Sequence, residues 1–135
     1  MNVDNRVFYV VTGYNDVMLN PVSEPIVKHI LPALRSVVAE ELSRRGYSQT
    51  EIAELMDLTQ PAVSQYLNHE RGRAIETIKG NEVLYEKAQD IAEYIARRDE
   101  DAVRDAYRDF CSAIVYQEDF ERLTGYRKEY FMDII

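Results

Sequence analysis

The stretch that decides the fold is residues 48–68, SQTEIAELMDLTQPAVSQYLN. Ser48 with Glu51 three positions on has capping-box spacing, in which each satisfies an amide of a helix's first turn. Ile52, Leu55 and Met56 follow at helical spacing and face inward. Ala53 places a small side chain where a second helix has to cross closely. Asp57 and Leu58 make a tight turn, and Thr59 is a second N-cap. Pro61 falls in the first turn after it, where its missing N–H costs nothing. Ala62, Val63, Tyr66 and Leu67 supply the inward contacts of the second helix. The reading is two short helices joined by a turn of about three or four residues.

The flanks extend a helical pattern. Upstream, Ser23 is placed to cap a helix, with Glu24 and Pro25 in its first turn. Ile26, Ile30, Leu34, Val37, Val38 and Leu42 recur at helical spacing until Gly46. Pro32 interrupts this run and predicts a kink near residue 30. Downstream, residues 68–73 read as a polar loop. Val83/Leu84, Ala88, Ile91/Ala92 and Ile95 form one apolar stripe. After a charged break at 97–101, Ala102/Val103, Ala106/Tyr107, Phe110, Ile114 and Tyr116 form another. A short helix is expected at 118–124, with a docked C-terminus after it. Before all of this, VFYVV at 7–11 and Val-Met-Leu at 17–19 flank a turn-rich segment and predict a short β-hairpin. The expected fold is mainly α. It divides into an N-terminal arm (1–22), a helical domain that contains the pair of short helices (23–79) and a C-terminal helical region (80–135).

Composition narrows the class. The chain has 135 residues, 46% of them hydrophobic, which is enough for a packed core. No run is long and apolar enough for a membrane span, and the N-terminus lacks the form of a secretory signal. Cys111 is the only cysteine, so a disulfide framework within the chain is excluded and a reducing cytoplasm is expected. The net charge of −8 disfavours a non-specific polyanion binder. Its distribution is uneven. Residues 1–27 hold one base and three acids, residues 28–79 seven of each, and residues 80–135 eight bases and fourteen acids. A local basic surface can persist in the neutral middle block.

Two short helices crossing at a small residue form a helix-turn-helix, which presents its second helix to the major groove of DNA. Here the start of that helix carries Gln60, Ser64 and Gln65. Glutamine can form paired hydrogen bonds to adenine, and Pro61 and Ala62 suit a thymine methyl. Arg44, Arg45, Arg71 and Arg73 flank the segment as candidate phosphate contacts. The stretch resembles the Cro-like helix-turn-helix of phage repressors. The longer run from Pro25 to Gly72, with IVKHILPALRSVVAEEL before SQTEIA and NHERG after SQYL, resembles a family of archaeal transcriptional regulators. The resemblance covers about a third of the chain. It implies base-reading roles for Gln60, Pro61, Ala62, Ser64 and Gln65, and a phosphate contact for Gln49. The chain departs from the pattern at Asp57, where glycine is usual. Asp is one of the few residues that accepts the left-handed backbone needed there. The cysteine pairs found downstream in some members of that family do not occur here, and a fused ligand-sensing domain is not expected.

The expected function is a homodimeric, cytoplasmic DNA-binding regulator reading a palindrome, with 80–135 as the dimer interface and no cofactor. The alternative is a protein-interaction module, antitoxin-like or anti-regulator, that keeps the two-helix unit as scaffold. His29 and His69 are too far apart in sequence to suggest a metal site. Cys111 beside Phe110 reads as a core thiol, and the ten tyrosines as core and interface side chains. No phosphate loop or hydrolase motif is present, so an enzyme is not expected.

Overall fold

The computed structural model describes residues 26–68, 72–125 and 127. They form a π-helical turn, Ile26–Ile30, and seven α-helices: α1 (Leu31–Arg44), α2 (Gln49–Met56), α3 (Gln60–Asn68), α4 (Arg73–Gly80), α5 (Glu82–Ala96), α6 (Glu100–Val115) and α7 (Phe120–Thr124). The mainly α expectation holds, and no strand occurs among the described residues. The hairpin expected over 7–11 and 17–19 lies outside them. So do the Ser23 cap, Arg71 and the tail at 128–135.

The entry to α1 differs from a single kinked helix. In a continuous α-helix the ring of Pro32 meets the carbonyl four residues earlier. The wider π-turn ends at Ile30, α1 starts afresh at Leu31, and Pro32 lies in its first turn. The chain leaves α1 through Gly46 at φ 99°, a left-handed conformation that is easy for glycine. The amides of Gly46 and Tyr47 then close back on the carbonyls of Ser43 and Leu42.

α1 is the central element. Leu34, Val38, Ala39 and Leu42 are fully buried along it, and it packs against α3, α4 and α5. α4 is a helix that the polar-loop reading of 68–73 does not extend to. Ile75 and Ile78, at helical spacing, are both buried, and glycines at 72 and 80 bracket the element. The most extensive packing joins α5 to α6. Leu84, Ala88, Ile91, Ala92 and Ile95 on α5 are buried within the chain, as are Val103, Ala106, Tyr107, Phe110 and Ile114 on α6. The two stripes are therefore covered within the chain, that of α5 by α1 and α4 as well as α6. Val83 and Tyr116 depart from the stripes and are exposed. Val83 is rotated by about 100° from Leu84 around the helix, and Tyr116 follows the end of α6. The buried cluster runs from Ile26 to Phe120 and crosses residue 80, where the charge pattern changes.

Candidate nucleic-acid interface

Local chemistry fixes α2 and α3. Ser48 Oγ accepts the Glu51 amide at 3.1 Å, and Glu51 Oε1 accepts the Ser48 amide at 2.9 Å, completing the capping box. These bonds from Ser48, backbone first, hold the Glu51 carboxyl below the usual carboxylate value. Asp57 ends α2 at φ 54°, ψ 47°. Its left-handed backbone lets the Leu58 amide reach the Ala53 carbonyl at 2.8 Å and the Asp57 amide reach Glu54 at 3.3 Å. Thr59 Oγ1 then accepts the Ala62 amide at 3.2 Å and starts α3. Three residues, 57 to 59, thus separate the helices. Ile52 and Met56 are fully buried, Ala53 is buried, and Leu55 is half-buried against the core. On α3 only Val63 is buried, while Ala62, Tyr66 and Leu67 are half-buried. This order, length and turn are compatible with a helix-turn-helix.

The expected base-reading residues share α3. Gln60, Pro61 and Gln65 are exposed, and Ala62 and Ser64 are half-buried. Ser64 Oγ accepts from Asn68 Nδ2 at 3.1 Å, which leaves its own proton free to donate. α3 contains no charged residue, so its field comes from neighbours. Gln49, half-buried, opens α2.

The four expected phosphate-binding arginines divide. Arg44 Nη2 donates to Glu41 Oε2 at 2.7 Å and to the Tyr85 hydroxyl at 2.9 Å. Arg45 donates to Glu93 Oε1 at 2.7 Å and to the Gln89 carbonyl at 3.4 Å. Both are engaged in joining α1 to α5. Arg71 lies outside the described residues. Arg73, exposed, opens α4 and lines the same cleft as Gln65. Two features near α3 escaped the sequence reading. Arg35 on α1 donates to the Tyr66 hydroxyl at 3.4 Å, and Arg98 pairs with Glu54 of α2 at 3.7 Å. No periodicity signals such long-range partners.

The other candidate groups have bland surroundings. Cys111 is buried, and burial pushes its thiol up to about 12, so it is protonated at neutral pH. Tyr107 beside it is raised too, first by burial. Among the described residues no group of His, Cys, Asp or Glu could hold a metal ion, and no helix is long and apolar enough to cross a membrane. No protein-family model, curated protein or solved structure matches the chain.

Proposed function

We propose that the protein is a sequence-specific DNA-binding transcriptional regulator that inserts α3 in the major groove. The observation that carries this reading is the pairing of α2 and α3. Two capped helices are separated by three residues, with the left-handed Asp57 at the turn. The uncharged outer face of α3 offers Gln60 and Gln65. Amide side chains of this kind discriminate bases by paired hydrogen bonds rather than by charge. The likeness to Cro-like repressors and archaeal regulators supports the same reading. Arg73 and Arg71 are the proposed phosphate contacts, with Gln49 at the start of α2.

One recognition helix gives limited affinity, so the proposal includes a homodimer on a palindrome with half-sites roughly 34 Å apart. The buried stripes of α5 and α6 are not available for that interface, which must use other surfaces. Net charge −8 and the engagement of Arg44 and Arg45 with α5 favour the second reading, a protein-interaction module on the same scaffold. Selection of bound sequences from random duplex DNA at low salt separates the two. A palindromic consensus supports the regulator, and no enrichment favours the interaction module.

A further inference from the structure

Beside α3 is a cleft of about 620 Å³, bounded by the π-turn, α1, α3, α4 and α7. That volume suits a small organic molecule. Its charge is unlike that of the chain as a whole. Arg73 and Arg122 line it and, among the described residues, no carboxylate does, on a protein of net charge −8. A neighbouring cleft of about 810 Å³ shares Arg73 at its edge but is lined by Glu76, Glu118 and Asp119 and is acidic on balance.

Ser36 lies in the wall of the first cleft. It is 4% exposed, and its hydroxyl is buried with no hydrogen-bond partner among the described residues. An orphaned buried hydroxyl is unfavourable until something supplies its partner. Much of the remaining wall is apolar, with Ile75 and Leu123 among its side chains. Arg122 pairs with Asp119 at 3.7 Å on an exposed surface, a weak pairing that an incoming anion can displace.

We propose that this cleft binds a small organic carboxylate. Arg73 and Arg122 take the carboxylate, the Ser36 hydroxyl bonds a polar atom of the ligand, and the apolar wall covers an aliphatic or aromatic body. Guanidinium groups match the carboxylate fork, and the apolar wall selects against a bare inorganic anion. Gln65 and Tyr66 of α3 lie on the same cleft. The bound acid therefore competes with the outward reach of Gln65 and lowers DNA affinity. This last step rests on the DNA-binding reading, whereas the site itself does not.

The test titrates benzoate into the full chain, followed by amide chemical shifts, with benzamide and inorganic phosphate as controls. Saturable shifts at Ser36, Ile75 and Leu123, with a Kd below about 1 mM, are expected. Ser36→Ala should weaken benzoate about fivefold and Arg73→Gln about tenfold or more, with amide spectra otherwise unchanged. Absence of saturable shifts overturns the site, as does benzamide or phosphate binding as well as benzoate. DNA affinity is then measured with and without saturating benzoate. Benzoate binding at the cleft in a protein that binds no DNA leaves the site standing and removes the regulator reading. DNA binding indifferent to benzoate overturns the coupling.

Discussion

Arg45 Nη1 donates to Glu93 Oε1 at 2.7 Å and joins the end of α1 to α5. Glu93 also holds Arg97 at 2.6 Å, and the Arg45 bond, followed by the charge of Arg97, keeps its carboxyl below the usual range. An arginine already bonded to a carboxylate is a poor phosphate ligand, because that pair must first break. Arg45→Ala is therefore expected to leave the salt dependence of DNA binding unchanged. Arg73→Ala should lower the slope of log K against log salt by about one. Binding isotherms across a salt series check both, and equal slopes for the two variants would refute the division.

Gln65→Ala should cost about 1–3 kcal/mol of binding to the selected site and relax preference at one base pair. The folding transition should not move, since Gln65 is exposed. Uniform weakening on all sequences would instead make Gln65 a backbone contact. Competition binding against single-base variants of the site reads the difference.

Asp57 is one of two non-glycine residues with positive φ among those described; Arg98, at φ 57°, is the other. Asp57→Val puts a β-branched side chain in that conformation and should destabilise the fold by about 1–2 kcal/mol. Asp57→Gly should be neutral or stabilising. Chemical denaturation of both variants measures the order, and a Val variant as stable as Gly would show that the turn can relax.

Ser48→Ala should cost about 1 kcal/mol through loss of the cap. The pH dependence has a definite sign. Glu51 is lowered from its ordinary value of 4.5, so its stabilising contribution is present above that pH and is lost as pH falls through the folded value. Glu93 acts in the same direction. Glu51→Gln should flatten the acid limb of a stability–pH curve, and an unchanged limb would show that the box does not hold in solution.

Cys111 shifts the other way. Burial raises it from 9.0 to about 12, so its contribution is complete below pH 9.0 and is lost as pH rises toward 12. At about pH 8 the native thiol should react with iodoacetamide far more slowly than in denaturant. Mass spectrometry of timed samples checks this, and equal rates would place the thiol at the surface.

The sequence was informative where structure is local. Ser48, Asp57 and Thr59 mark the ends of α2 and α3 by bonds within a few residues, and the stripes of α5 and α6 follow from periodicity. α4 was missed because eight residues with two buried isoleucines carry little pattern beside a glycine-flanked loop. What covers each stripe was not legible. Periodicity gives the buried face of a helix and never its partner, so it could not tell that the stripes of α5 and α6 are buried within the chain. The roles of Arg44 and Arg45 depend on Tyr85, Gln89 and Glu93, more than forty positions away. The Ser36 cleft has no signature at all, since it is assembled from α1, α3, α4 and α7.

Val63 is the only buried residue of α3. The positions that hold this helix and those that present its outer surface are therefore almost disjoint. Substitutions at Gln60 and Gln65 can alter the outer surface of α3 without touching the core that keeps it in place. That surface can then diverge quickly among descendants of such a chain while the scaffold stays constant. The same separation makes α3 a natural position for a randomised library, with Thr59, Ala62 and Val63 held fixed.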